Sequence, residues 1–181
     1  MLKILFISAL LLGSCGRNFS EKSKEINSSS LIQDSIKSKN TFQDTTYVKK
    51  WLTKVILDYV NSDASKVADS NLRSAMTEDY YNYKLDAITS EYSGMTKEEF
   101  NEKWKMKFNT KYVGNAGFLS APQDHGKISV PVCSYIKSSG DSVGVFHVVI
   151  HDMQWKTDNN LDITTIVRNQ KLLIGDVKEY D

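Results

Sequence analysis

Two cysteines and two prolines in 181 residues exclude a disulfide-built scaffold and a proline-rich or collagen-like chain. A surplus of one charge is missing too: 23 Lys and Arg stand against 22 Asp and Glu, a net +1. A nucleic-acid binder normally carries a basic excess on one face, so no nucleic-acid partner is expected. No apolar run approaches the roughly 20 residues that a membrane-crossing helix needs. Yet 40% of the residues are hydrophobic, too many for a wholly disordered chain. The composition is that of one ordinary globular domain with an appendage.

What is present begins at the N-terminus. Lys3 precedes a nearly continuous apolar stretch, Ile4 to Leu12, and small residues follow it. A basic start, a short apolar run and a small-residue close form the pattern of a secretory signal peptide, here residues 1–14. The closing Leu12-Gly13-Ser14-Cys15 resembles the lipobox of bacterial lipoproteins, with leucine three before cysteine and small residues between. The resemblance implies cleavage after Ser14, a diacylglycerol thioether on the Cys15 sulfur and acylation of the new amino group. One acyl chain holds a protein only marginally, whereas several anchor it stably without any spanning helix. The membrane is therefore an expected partner, through the lipid alone. The implied location is the bacterial cell envelope, with the outer membrane expected and the domain on its periplasmic or surface side. Loss of residues 1–14 removes Lys3 alone among the charges, leaving 22 basic against 22 acidic residues. Cys133 is then the one free thiol, so no intrachain disulfide is expected.

Residues 15–44 read as a flexible tether from lipidated Cys15. They are rich in Ser, Lys, Asn and Glu and too poor in large apolar groups to offset their ordering entropy. About 30 such residues reach about 30 Å, enough to clear the headgroups.

Residues 45–181 read as a single domain. Val48, Trp51, Leu52, Val55, Ile56, Tyr59 and Val60 recur at helical spacing, with Trp51 at the stripe's centre. Thr45 or Thr46 is the expected N-cap. A second helix carries Ala64, Val67, Ala68, Leu72, Ala75 and Met76, and a third is striped by Tyr81, Leu85, Ile88 and Tyr92 with Gly94 as its stop. Thr96 to Glu99 is a capping box that opens a helix carrying Phe100, Trp104 and Phe108. Glu99 and Lys103 stand in favourable i, i+4 register.

The second half changes period. Tyr112 to Ser120 is a candidate first strand. Ile128, Val130, Val132 and Ile136 then alternate with Ser129, Pro131, Cys133 and Tyr135, Pro131 marking an edge or a bulge. Further strands are expected over Val143–Met153, Leu161–Arg168 and Lys171–Glu179. The turns between them are Ser138–Asp141, Lys156–Asn160 and Asn169-Gln170. Helices followed by an antiparallel meander indicate an α+β fold, with N-terminal helices packed on a curved antiparallel sheet.

That order resembles the NTF2-like, cystatin-like cone, and more narrowly the small lipoproteins and periplasmic proteins of the DUF3828 type. The residues that carry the resemblance are Val48-x-x-Trp51-Leu52, the Leu72 to Tyr81 segment, and the closing Leu172-x-Ile174-x-Asp176-Val177. In those proteins the last strand commonly reads Trp-x-Ile-Asp-x-Val; here Leu172 replaces the tryptophan and Gly175 intervenes.

Chemistry-bearing residues are sparse. His147 and His151, four apart on one strand, share a face at a separation of about 13 Å, too far to ligate one ion together. His125 falls in a turn. No metal site and no cofactor is expected. Cys133 has no local partner and reads as a packed thiol. No phosphate loop, nucleophile elbow or metalloprotease helix is present, so the chain does not read as an enzyme. Tyr80, Tyr81, Tyr83, Trp104 and Phe108 would line the mouth of a cone, with Asp152 or Asp162 as a base in an isomerase-like pocket. The plainer alternative makes these aromatics core and rim.

The expected function is that of a membrane-anchored envelope lipoprotein with a non-catalytic domain that binds a small ligand or a protein. The candidate pocket or interface residues are Tyr80, Tyr81, Trp104, His147 and His151. The alternative is an immunity protein that neutralises a secreted toxin, and a third reading is a small hydrolase or isomerase using the cone pocket. A deep pocket favours ligand or catalysis; a filled core with an exposed patch favours a protein partner.

Overall fold

The computed structural model describes residues 44–61, 66–114, 117–119 and 125–180. The signal peptide, the lipobox residues Leu12, Gly13, Ser14 and Cys15, and the tether up to residue 43 lie outside them. Four helices come first: α1 (Thr45–Asn61), α2 (Lys66–Ser74), α3 (Glu78–Ser93) and α4 (Lys97–Trp104). A single 3₁₀ turn, Thr110–Tyr112, precedes four strands: β1 (Ile128–Ser138), β2 (Val143–Asp152), β3 (Thr157–Arg168) and β4 (Lys171–Tyr180). The strands form one antiparallel meander in the order β1-β2-β3-β4. The fold is α+β, and the sheet is open.

Helix α1 is amphipathic as its spacing requires. Val48, Leu52, Ile56 and Val60 are buried, one residue per turn on a single face. Trp51, Val55 and Tyr59 are only half-buried beside them, so Leu52 and not Trp51 occupies the centre. The N-cap is Asp44 and not Thr45 or Thr46: its carboxylate accepts from Tyr47 N at 3.1 Å, satisfying an orphan donor of the first turn. Helix α3 is correctly stopped by Gly94 in the left-handed region, but it buries a different face from the expected one. Tyr80, Tyr83 and Lys84 are buried, whereas Leu85 is exposed and Tyr92 is 89% exposed. A hydropathy stripe could not place a lysine inside; Glu179, a strand residue far along the chain, accepts its charge. The capping box at Thr96 and Glu99 forms as expected. Because Glu99 is spent there, Lys103 pairs with Asp86 at 2.7 Å instead of with Glu99.

The sheet follows its alternation. In β2, Phe146, Val148 and Ile150 are buried while Val145, His147, Val149 and His151 are half-exposed. In β3, Leu161, Ile163 and Thr165 face the same interior. Beta-strand β1 is an edge, as Pro131 requires, but a register shift between Ser129 and Val132 breaks its expected alternation. After that bulge Cys133 packs toward the core and Val132 lies outward. Strand β1 has another shift between Tyr135 and Lys137, and Gly175 is the extra residue of a third, between Thr164 and Thr165 on the partner strand. A Cβ there would meet the Ile166 side chain at 2.3 Å, so only glycine lets β4 pass.

Three strand boundaries differ from the sequence reading. Among the described residues of the expected 112–120 strand none is extended in a ladder: Thr110–Tyr112 is a 3₁₀ turn and residues 117–119 turn again. Gly114 and Gly117 have φ of 57° and 112°, which breaks extension, and Phe118 and Leu119 enter the core as a plug. The β2–β3 turn lies at residues 153–156, before the expected Lys156–Asn160. Strand β2 accordingly ends at Asp152 and not Met153, because the Asp152 carboxylate accepts from Gln154 N and Trp155 N and closes the chain there. The Asn169-Gln170 turn forms where expected, both residues having positive φ, as a two-residue hairpin of the primed kind demands.

Candidate functional site

The helix–sheet interior is the first place to look, because a cone would hold its ligand there. It is packed with rings. Tyr83 stacks on Phe108 at 4.3 Å and on Phe100 at 5.5 Å, and meets Trp104 edge-on at 5.6 Å. Tyr80 is fully buried, its hydroxyl donating to Phe118 O at 3.2 Å. Burial pushes the Tyr80 and Tyr83 hydroxyls above the ordinary tyrosine range, with the Glu179 and Asp176 charges adding to it. Trp104 donates from Nε1 to Asp86 at 2.8 Å. Tyr81 stacks on Phe118 and carries the Arg73 guanidinium on its ring. These residues were candidates for a pocket mouth; they are core and rim.

Lys84 was not singled out by sequence. It is fully buried and donates to Val113 O, Gly114 O and Glu179 Oε1. Burial lowers its pKa, and Glu179 acts against that. Gly114 has the tightest fit in the chain: a Cβ would fall 1.9 Å from Glu179 Oε2. This ammonium pins the 113–114 backbone to β4 and its donors are spent. Sequence offered one signal, a lysine in the middle of an aromatic helix face.

Asp152, a candidate base, is likewise structural. It is buried, and it accepts from Gly126 N at 2.9 Å as well as from the turn. Burial alone would raise its carboxyl; the N–H donors of Trp155, Gly126 and Gln154, with His125 nearby, hold it below the usual range. The Cys133 thiol is pushed up by burial, against the Lys49 charge and a hydrogen bond from Thr53. The thiol packs against the core.

The open face of the sheet is different. His147 and His151 do share it, half-exposed, and the 3₁₀ turn reaches it at one end, where the Tyr112 ring packs on Tyr180 at 5.3 Å. Each is paired across to β3: His147 Nδ1 lies 3.1 Å from Asp162 Oδ1, and His151 Nδ1 lies 2.7 Å from Asp158 Oδ1. Tyr180 OH donates to Asp162 Oδ2 at 2.9 Å, linking β4 to the same row. Burial and the Asp162 hydrogen bond push that phenol up to about 12, so it stays a donor. Val149 and Asn160 lie opposite one another between the two rows. Ser134 stands across from His147 in register, but among the described residues no hydrogen bond joins them. At the β2–β3 turn beside His151 and Asp158, Met153 is 52% and Trp155 59% exposed. The face thus offers spaced donors and acceptors next to a large aromatic, the composition of a recognition surface.

Among the described residues no group of three or more His, Cys, Asp or Glu is placed to hold a metal. No described helix is long and apolar enough to cross a membrane. Comparison with protein-family models, curated proteins and solved structures finds no match.

Proposed function

We propose that this chain is a lipid-anchored protein of the bacterial envelope whose α+β domain binds a protein partner and catalyses nothing. The observation that carries the reading is the contrast between two faces of the sheet. One face is filled by interlocked rings from Tyr80, Tyr83, Trp104 and Phe108. The other displays the His147–Asp162–Tyr180 row, the His151–Asp158 pair and exposed Trp155. Filled core with an exposed polar and aromatic patch favours a protein over a small ligand. The same contrast supports the immunity reading, in which the partner is an incoming toxin, over a hydrolase or isomerase. We read the helix-first, meander-last order as that of an NTF2-like cone, with aromatic rings packed where its ligand would sit. The anchor rests on Leu12-Gly13-Ser14-Cys15.

Two experiments test it. Cys15→Ala should move the protein from the membrane pellet to the soluble fraction; unchanged sedimentation contradicts the anchor. A photo-crosslinking residue at Lys178, on the open face, should give an adduct of defined mass in cells. The same residue at Tyr92, on the far side, should give none. Equal labelling at both positions contradicts the proposed surface.

A further inference from the structure

The two edges of the sheet are treated differently. Beta-strand β4 is closed by the segment after α2: Thr77 N donates to Ile174 O and Ile174 N to Ala75 O, each at 2.8 Å. Met76 and Ile174 thereby form a parallel bridge. No described strand pairs with the outer edge of β1. Its residues from 131 to 138 are exposed apart from half-buried Cys133, and they include the large apolar Val132, Tyr135 and Ile136, the last 46% exposed. An unpaired edge of this kind is a template for another strand. Pro131 offers no donor and sits in one bulge, and Ile136 is the extra residue of another between Tyr135 and Lys137, which confines regular pairing to Val132–Tyr135.

What flanks this edge carries one sign. Helix α1 packs against β1, with the Thr53 hydroxyl on the Cys133 sulfur and Lys49 near enough to act on it. Beside it runs a groove of about 470 Å³ lined by Lys49, Lys50, Thr53, Lys54, Leu57 and Asp58. Asp58 and Lys54 pair with each other at 2.6 Å, which leaves Lys49 and Lys50 to set the sign. Beta-strand β1 itself holds Lys137 and no acidic residue. We propose that the outer edge of β1 takes an extended acidic segment of a partner protein as a fifth strand, its carboxylates on Lys49 and Lys50. Backbone pairing supplies affinity and the lysines supply selectivity.

Charge also sorts the rival occupants. Residues 16–43 of this chain carry five Lys and Arg against three Asp and Glu, so the chain's own tether is repelled. A second copy paired edge to edge would bring two lysine rows together, which opposes dimerisation.

The inference rests on the domain being a binding module but not on which partner meets the sheet face. The probe is a short synthetic peptide alternating Glu and Val, titrated into the full chain in detergent with amides followed by NMR. Shifts and new amide protection should be confined to β1 and the facing side of α1. Binding should weaken about tenfold or more in the Lys49→Glu/Lys50→Glu variant, whose thermal melt serves as the folding control. It should also weaken as ionic strength rises and vanish when the peptide's alternate amides are N-methylated. Equal binding of a Lys–Val peptide, no binding, or insensitivity to the lysine variant overturns the proposal. So does a peptide-free dimer by sedimentation, or protection, in the peptide-free monomer, of the Val132–Tyr135 amides that face away from β2. Loss of peptide binding with intact Lys178 cross-linking rejects the edge alone, not the proposed function.

Discussion

At the scale of single residues, buried Asp152 and half-buried Asp176 make opposite demands on pH. Asp152 has its carboxyl held down by backbone donors, so its charge stabilises the folded chain above the ordinary value of 3.8. That contribution fades as pH falls through the lower folded value. Asp176 is pushed up by burial, against Lys178 and the Val177 N–H. Its contribution is therefore present below 3.8 and lost as pH rises through the folded value. Asp152→Asn should melt lower than the parent at pH 7, with the gap closing below about pH 4. Asp176→Asn should melt higher at pH 7, and its advantage should vanish over the same range. Melts at both pH values check the two signs. The α1 stripe gives a second comparison. Leu52 is fully buried, so Leu52→Ala should cost about 2–5 kcal/mol in denaturant unfolding. Trp51 is half-buried, and Trp51→Ala should cost about 1–2 kcal/mol. A reversed order would show that Trp51 holds the centre of the interface, as the spacing of the stripe suggests.

At the scale of elements, the legible parts were those written locally. The Thr96–Glu99 box, the Gly94 stop, the edge position of β1 and the Asn169-Gln170 turn depend on neighbours within a few residues. Elements set by distant partners were not legible. The face that α3 buries depends on Glu179, and the burial of Asp152 depends on Gly126 reaching it from outside the hairpin. The 110–119 segment alternates like a strand but is turned by two glycines of positive φ. The Lys84–Glu179 pair is the link that decides α3, and it can be measured. Lys84→Met strands Glu179 and two carbonyls in the interior, which should cost about 3–5 kcal/mol. Adding Glu179→Leu should recover part of that, with a coupling energy of about 0.5–3 kcal/mol in a double-mutant cycle. Strict additivity would mean the pair does not hold α3 to β4.

At the scale of the whole molecule, the alternation of β2 was enough to put His147 and His151 on one face. Their aspartate partners come from β3, and register across a hairpin decides such pairs. The aromatic cluster was legible as a set, but whether it lined a cavity or filled one depends on ring packing that no spacing encodes. The account turns on that point: the interior is structural and recognition is external. Its most direct test compares an interior and a surface variant by two readouts, melting temperature and cross-linking yield from Lys178. Tyr83→Leu loosens the ring cluster, and Asn160→Arg alters the open face between the two histidine rows. The account predicts that Tyr83→Leu lowers the melting temperature by several degrees yet keeps the adduct below the melt. It predicts that Asn160→Arg, a surface change costing within about 0.5 kcal/mol, keeps the melting temperature and loses the adduct. An adduct lost in Tyr83→Leu while the chain is folded, and kept in Asn160→Arg, would place recognition in the interior and contradict the account.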